Sequence, residues 1–554
     1  MAWDPSRLAH VVLYDRPGDR LFRPEVVLFQ GFVPGILSMD SSRNPEIIRL
    51  HGEDNVVVAL CHLEAGSSVG TGSERLEPAE MIRPGHKMAA RPISAGETVT
   101  KYGQPIGVAA EDIAVGEWVH IHNVANIERT QHYDKATQIP ADPDPITDRS
   151  FMGYRRADGK AGTRNYVAVI SNVNCSASVA KYIARRFDDS LLADYPQVDG
   201  VVAFTHGEGC GMEYNGQKHQ MLARVLGGIA RHPNIGAYLI VGLGCEQSTI
   251  GYLLDTQQLI QIGGTNEQRS GPPVLSMQDV GGTLKTVEAG VEKLVELLPQ
   301  ANDVRREPIP ASEIMLGTEC GGSDGNSGIT ANPAVGVASD LLVACGGTSI
   351  LAEMPEIYGA EHLLTVKSRT VEVADKLLDR IKWWEWYAAL FDGEMNNNPT
   401  VGNKEGGLTT IVEKSLGAVA KGGSTALEDV YEYAEQVTNR GFVIMDTPGF
   451  DPPSVTGMVA GGANMVVFTT GRGSCFGCKP TPSIKIATNS LMYERMIDDM
   501  DINAGEVLEG KTVEQLGHDI FDEILEVASG KKTKSELHGI GDEEFVPWTV
   551  GAQL

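Results

Sequence analysis

YVAVISNVNC (166–175), VVAFTHGEGCG (201–211) and AYLIVGLGCEQ (237–247) decide the fold. Each is an apolar run that breaks into a turn rich in Gly, Asn or Cys. Helix-like patterns follow the first two, SASVAKYIARRF (176–187) and QKHQMLARVLGGIA (217–230). Strand-like runs alternating with helices predict a parallel sheet with helices on its faces. The rhythm returns further on in EIMLGTECGGSDG (313–325), SDLLVACGGTSILAE (339–353), GFVIMDTPGF (441–450) and NMVVFTTGRGS (464–474). The expectation is a two-part α/β body with largely parallel sheets.

Upstream the pattern differs. IIRLHGEDNVVVALCHL (47–63), HKMAARPISAGETVTKYGQPIGVA (86–109) and EDIAVGEWVHIHNV (111–124) are short apolar runs between Gly turns, the mark of a small all-β module. TQIPADPDPITDRS (137–150) has linker composition, with three prolines and three acidic residues. A helix is expected over 286–298, ending at Pro299, before a second boundary in ANDVRREPIPAS (301–312). The chain thus divides into an extension (1–45), the β module (46–128), a linker (129–150), a first α/β domain (151–305) and a C-terminal α/β domain (306–554).

Of the 554 residues, 42% are hydrophobic and 21% charged, and no run is long enough for a membrane helix. No secretory leader is recognisable at the start, so a soluble cytoplasmic protein is expected, one that binds no membrane. With 73 acidic against 46 basic residues, the net charge of −27 repels a phosphate backbone and excludes general nucleic-acid binding. An anionic substrate then needs a local positive centre, either a metal ion or a few Arg and Lys side chains. Eight cysteines are too sparse for a disulfide framework and are expected to be reduced.

Two sets of residues are candidates for a metal. Cys175, Cys210 and Cys245 each follow a strand candidate at intervals of 35 residues, one per β-α unit. In a parallel sheet those positions share the carboxyl edge, so the thiols can converge on a soft metal or an iron-sulfur cluster. They can equally be small buried residues in Gly-rich turns. In the β module, His120 and His122 lie at i and i+2 and would share one strand face, with His86 as a third imidazole. Two polar residues on a solvent face are the plainer account of that spacing.

Other polar stretches read as substrate contacts. ECGGSDGNSGITANP (319–333) is longer than a simple connection, and its backbone amides could cradle a carboxylate at Gly321 and Gly322. Ser323, Asp324, Asn326 and Asn332 stand in the same stretch. NNNPTVGNKEGGLTTIVEKSLGAVAKGG (396–423) supplies Asn403 for binding and Lys404 as a base, and Arg472 follows a strand candidate where it can clamp a carboxylate. His206 in THGEGC (205–210) is a ligand, a base or a turn residue. Cys475 and Cys478 form a lone C-x-x-C without the second pair that a zinc site needs, so they are taken as incidental.

HGEDNVVVAL (51–60), GHKMA (85–89), KYGQPIG (101–107), GEWVHIHN (116–123), GYRRADGKAGTRNYVAVI (153–170), GLGCEQ (242–247), ECGGSDGNSGITANP, AEMPEIYGAE (352–361), GNKEGGLTTIVEKSLG (402–417) and GRG (471–473) with PSIKIATN (482–489) occur in order. Together they resemble the altronate and galactarate dehydratase family, in which a β-clip module of the SAF type precedes a two-part α/β body. The resemblance implies a hydro-lyase that turns aldonic or aldaric acids into 2-keto-3-deoxy acids with Fe(II) or another divalent ion such as Mn(II), and a homo-oligomer, a dimer. Loss of a proton next to a carboxylate needs that carboxylate neutralised, so the metal is expected where the β module meets the body, with Arg472 and the Gly321 and Gly322 amides on the carboxylate and Lys404 or a histidine as base. The extension before residue 46 and the Cys475/Cys478 pair depart from the family's pattern and leave the sugar acid open. A sulfolactate-type sulfo-lyase and a non-catalytic sugar-acid-binding protein are the alternatives. A nicotinamide enzyme lacks the full G-x-G-x-x-G pattern.

Overall fold

A computed structural model of the chain describes residues 45–71, 74–127, 132–259 and 273–550. The expectation for the extension therefore lies outside the described residues except at Pro45.

The β module is built from nine short strands: β1 (Ile47–Ile48), β2 (Val56–Ala59), β3 (Val69–Thr71), β4 (Glu74–Leu76), β5 (Lys87–Ala89), β6 (Thr98–Lys101), β7 (Gln104–Ala109), β8 (Trp118–Val119) and β9 (Val124–Ala125). Every pairing among them is antiparallel, in the orders β1-β2-β5-β8 and β6-β7-β9 with the β3-β4 hairpin apart. The linker-like stretch lies along the C-terminal body, where the amides of Ala136, Gln138 and Ile146 donate to Thr365, Val366 and Ala344.

Beyond it, β10 (Ser150–Arg155) pairs antiparallel with β11 (Ala161–Gly162) and with β16 (Arg306–Pro310). The first α/β sheet lies between these strands. It contains β12 (Tyr166–Ser171), β13 (Gly200–Phe204), β14 (Ile235–Gly242) and β15 (Val274–Ser276), all parallel in the order β13-β12-β14-β15. β12 is buried along its whole length, as a strand covered on both faces must be. The helix expected to stop before Pro299 runs instead from Thr283 to Asn302. Pro299 falls in its last turn, where the one missing N–H would have met the carbonyl of Val295, itself 44% exposed to water.

The C-terminal sheet has seven parallel strands: β17 (Met315–Cys320), β18 (Thr348–Leu351), β19 (Leu427–Tyr431), β20 (Gly441–Met445), β21 (Met465–Thr470), β22 (Ser483–Ala487) and β23 (Ile502–Asn503). Their order is β19-β20-β18-β17-β21-β22-β23, so the chain builds outward from β17 on one side and then returns to add β21 on the other. The crevice outside the carboxyl ends of β17 and β21 is therefore the topological switch point, where an open parallel sheet leaves room for a ligand.

The units share apolar cores. Val56, Val99 and Val124 of the module bury with Ile411, Leu416 and Ile444 of the body. The Gln217–Ala230 helix lies against the Asp451–Gly461 helix so closely that a Cβ on Gly228 would sit 2.2 Å from the Ala460 carbonyl oxygen. Among the described residues no helix is long and apolar enough to cross a membrane.

Candidate active site at the carboxyl edge of the seven-stranded sheet

β17 carries Glu319 and Cys320 at its carboxyl end, inside an apolar run that buries both. Next to it, β18 leads into Glu353, held in the left-handed region at φ 63°, and on to Glu356. That strained turn aims Glu353 inward: its Oε2 accepts from the Cys320 amide at 3.0 Å and from Lys421 Nζ at 2.8 Å. Lys414 Nζ donates to Glu356 Oε1 at 2.5 Å and to Asn398 Oδ1 at 3.0 Å. Ser454 Oγ donates to Glu319 Oε2 at 2.7 Å. Asp451 opens the helix that follows β20, and one of its oxygens would lie 2.4 Å from a Cβ on Gly321, so only glycine fits there.

Four carboxylates thus face two ammonium groups in a nearly dry site. Two negative charges are left without a partner, and the carboxyl groups respond by holding protons. Burial, then Glu353 and Asp451, pushes Glu319 well above the usual carboxylate range. Burial, then Glu353 and Glu356, raises Asp451 to about 7. Burial would also raise Glu353, but Lys421 and Lys414 overcome it and keep Glu353 below its ordinary value. Oε1 of Glu319 and Oε1 of Glu353 are both buried without a hydrogen-bond partner. One ligand atom each from Glu319, Glu353 and Asp451 lies within 4.8 Å of the others, and the same holds for Cys320, Glu353 and Glu356. The oxygen trio suits a hard divalent cation whose charge equals the unpaired excess.

On the other side of Gly321 and Gly322 stands the β21 turn. The amides of Gly471 and Arg472 donate to the Gly322 carbonyl at 3.1 and 2.8 Å, which staples the two loops together. Arg472 is exposed, and its guanidinium lies 3.3 Å from Glu405. Asp451 and Arg472 therefore flank two consecutive glycines. The Gly321 amide is used by the Thr469 carbonyl at 3.2 Å, whereas among the described residues the Gly322 amide makes no hydrogen bond.

The module closes this crevice. Gly85 packs on Gly325 and Gly407, and a Cβ on Gly325 would lie 2.0 Å from the Gly85 carbonyl oxygen. Lys87 and Lys101 of the module both reach Glu413 of the body, each at 2.9 Å, with all three side chains at most 1% exposed. The two lysines hold Glu413 far below its ordinary value against the opposing effect of burial. This triad fixes the module by charge where the surrounding core fixes it by packing.

The sequence-derived candidates divide on this frame. β8 ends at Val119, and Asn123 accepts from the His120 amide and donates to the Trp118 carbonyl, so His120 begins a turn. His120 is consequently buried and His122 exposed, and the two do not share a strand face. His86 accepts from Trp118 Nε1 at 3.1 Å and, with its other nitrogen, donates to the Glu405 carbonyl at 3.1 Å, so both ring positions are occupied. Burial, then Lys87, takes His86 down to about 4 and His120 to about 3. His120 Nδ1 is buried without a partner.

Asp324 is a loop fastener. Its oxygens accept from the Asn326 amide, Ser327, Thr488 and Asn489, which leaves little capacity for a substrate hydroxyl. Asn332 is spent on Thr469 and Gly417, and Asn403 completes a capping box while donating to the Ser323 carbonyl at 2.9 Å. Ser323 Oγ and Asn326 Oδ1, by contrast, are buried without partners at this crevice. Lys404 is half-exposed on the short Val401–Glu405 helix beside it and makes no ion pair among the described residues.

His206 belongs to the other sheet. It donates to the Ser171 carbonyl at 2.9 Å and accepts from the Glu208 amide at 3.1 Å, so it bolts a turn and has no free nitrogen to act as a base. Cys175, Cys210 and Cys245 are exposed thiols at that sheet's carboxyl edge. Cys475 is exposed and Cys478 buried, each a free thiol.

Three family descriptions tile the chain. The "Altronate/galactarate dehydratase SAF domain" matches residues 45–127, the "D-galactarate dehydratase/Altronate hydrolase, second domain" matches 153–302, and "D-galactarate/Altronate dehydratase, C-terminal" matches 311–553. The chain is 37% identical to an altronate dehydratase of Escherichia coli K12 over 492 residues, 89% of this chain and 97% of that one. This chain belongs to the altronate/galactarate dehydratase family. A galactarate dehydratase (L-threo-forming) of the same organism is 38% identical over 509 residues, covering 90% and 95% of the two chains. The beta subunit of a (2R)-sulfolactate sulfo-lyase from Chromohalobacter salexigens is 30% identical over 409 residues, 72% of this chain and 97% of that one.

For this family member, the sequence reading passed over Glu319, Glu353, Glu356 and Asp451. Three of them lie inside motifs it quoted, ECGGSDG and AEMPEIYGAE, just after strand candidates. The available signal was an acidic residue at the polar end of an apolar run.

Proposed function

We propose that the chain removes water from an aldonic or aldaric sugar acid to give a 2-keto-3-deoxy acid, with a divalent cation, Fe(II) or Mn(II), at the carboxylate centre. The observation that carries this reading is the pair of buried, unpartnered carboxylate oxygens on Glu319 and Glu353, placed with Asp451 at the switch point and roofed by the module. The relatives named as altronate and galactarate dehydratases supply the substrate class.

Dehydration begins with loss of the proton next to a carboxylate, which is hard because charge builds on that carboxylate. A bound cation would supply Lewis-acid stabilisation of that charge. Glu319, Glu353 and Asp451 would hold the cation, while Lys414 neutralises Glu356 and Lys421 stays paired to the other oxygen of Glu353. The exposed guanidinium of Arg472 and the free Gly322 amide bind the substrate carboxylate across the two glycines. Ser323 Oγ and Asn326 Oδ1 orient hydroxyls with the hydrogen-bonding capacity that nothing else uses. Lys404, beside the crevice and without an ion-pair partner, takes the proton as the neutral amine, and the C3–O bond breaks as the new double bond forms, the hydroxyl leaving as water with that proton returned to it.

The test is formation of 2-keto acid from altronate, galactarate and related acids, followed by semicarbazide, with Fe(II), with Mn(II) and after chelation. Metal-dependent product from at least one sugar acid is expected. Absence of product from every acid with either metal overturns the reading, and sulfite release from sulfolactate replaces it with the sulfo-lyase one. The fusion of module and body in a single chain favours the hydro-lyase, since the sulfo-lyase relatives match as separate alpha and beta subunits.

A further inference from the structure

The first α/β sheet has a switch point of its own. β12 is laid down first, β13 joins one side and β14 the other, so the carboxyl ends of three adjacent strands border one crevice. Cys175 follows β12, Cys210 follows β13 and Cys245 follows β14. All three thiols are free and exposed.

The three turns are tied to one another. The Asn174 amide donates to the Glu208 carbonyl at 2.8 Å, and the Ser248 amide donates to the Gly209 carbonyl at 3.0 Å. Asn172 donates its side-chain amide to the Ser248 carbonyl and to Glu246 Oε1. Gly209, next to Cys210, has φ 105°, and a Cβ there would lie 2.8 Å from Val173 Cα, in the turn that carries Cys175. Gly244, next to Cys245, has φ 126° and would strike Gln278 with any side chain. Glycine at 209 thus lets the turn of Cys210 pack directly on the turn of Cys175.

The spacing selects among metals. Neighbouring strands lie about 4.8 Å apart, so the ends of three of them span roughly 10 Å. A single tetrahedral ion needs its sulfurs within bonding reach of one point, with metal–sulfur bonds of about 2.3 Å. The cysteines are not among the sets of ligand atoms that fall within 4.8 Å of one another among the described residues. An iron-sulfur cluster separates its thiolates by its own iron–sulfide edges and suits the wider spacing. The Ala177–Ala184 helix begins two residues after Cys175.

The geometry points to an iron-sulfur cluster held by Cys175, Cys210 and Cys245, with one iron left without a protein thiolate. This site is separate from the carboxylate centre and stands or falls apart from the hydro-lyase reading. It also lies within reach of that centre's helix. Trp548 donates its amide to the Tyr433 hydroxyl, which donates to the Pro453 carbonyl in the first turn of the Asp451–Gly461 helix, and Thr549 bonds Glu208 at the cysteine edge.

The experiment uses the full chain, purified without oxygen and reconstituted with ferrous iron and sulfide under reducing conditions. Bound iron, acid-labile sulfide and visible absorption are measured for the wild type, for Cys175→Ser, Cys210→Ser and Cys245→Ser, and for Cys61→Ser and Cys475→Ser as exposed-thiol controls. Bound sulfide and a cluster absorption band are expected in the wild type and both controls, and loss of both in each of the three variants. Circular dichroism should be unchanged throughout, because the substituted thiols are on the surface. A wild type that binds no acid-labile sulfide, one that takes up zinc or iron without sulfide, or retention of the full sulfide and absorption band in any of the three variants would each overturn the assignment. The hydro-lyase reading is measured separately, by product formation.

Discussion

The two parallel sheets place opposite chemistry at the same topological position. At the seven-stranded sheet the switch point is buried, acidic and roofed by the β module, and its donors are oxygens. At the four-stranded sheet it is open, and its donors are three exposed sulfurs. The difference teaches that parallel strand order fixes where a ligand sits, while burial decides which ligand can be held. Carboxylates forced out of water call for a hard counter-cation, and thiols at an open edge call for a group that brings its own bulk.

The hardest break is at the oxygen side. Glu319→Gln removes an oxygen that would ligate the cation, and activity with added Fe(II) or Mn(II) should fall ~10²–10³-fold, the loss typical of a group that stabilises developing charge. Sulfide binding at the cysteines should not change. Equal loss of both would show that the two edges are a single site.

The next largest effect concerns the roof. Glu413→Gln leaves Lys87 and Lys101 buried without their counter-charge, which should cost about 3–5 kcal/mol. Thermal unfolding and hydrogen exchange should locate the loss in the module and in the Ile411–Ala418 helix, sparing the four-stranded sheet. Uniform destabilisation would mean that the cores, and not the triad, fasten the module.

A smaller effect separates the carboxylates by pH. The Asp451 carboxyl titrates near 7 in the folded chain and near 3.8 when unfolded. Between those values the folded state binds the extra proton, so the metal-free protein loses stability as pH rises through that window. Asp451→Asn should therefore be more stable than the metal-free wild type at pH 8, by about 1–2 kcal/mol, and equal to it near pH 4. In wild type the cation competes with this proton, so metal affinity should weaken as pH falls below about 7. The smallest expected effect is that of the His120→Ala, His122→Ala double variant, which should keep its metal. Loss of metal there would return the site to the module.

Much of the fold was legible because buried parallel strands are written as uninterrupted apolar runs ending in glycine. β14 and β21 announce themselves that way, and β12 does so with a turn of Asn and Cys in place of glycine. The module was legible from its Gly-punctuated short runs, and the edge position of the three cysteines from their regular placement after strands. Strand order was not legible, since a sequence states when a strand is made and not which neighbour it joins. Without that order, Glu319 and Glu353 look like the polar ends of separate strands and not like parts of one centre. The shared strand face of His120 and His122 failed for a local reason: Asn123 turns the chain at His120, and no alternation rule foresees a side-chain cap that ends a two-residue strand. Asp324, Asn332 and Asn403 were read as substrate contacts because they are polar and stand in long loops, and the bonds that fasten those loops are not legible from polarity alone.

The pairing of β10 with β16 has a consequence for how the molecule could be taken apart. Tyr154 and Arg306 are direct partners across that ladder, and the Arg306 guanidinium lies 4.6 Å from the centre of the Tyr154 ring. The chain therefore leaves for the four-stranded sheet and returns from it at adjacent points, and what lies between is held to the body both by this ladder and by the core it shares with the Asp451–Gly461 helix. Cutting it out would bare the face of the Asp451–Gly461 helix on which Gly228 and its helix pack, so the oxygen-lined centre and the sulfur-lined edge have to be loaded and measured within one intact chain.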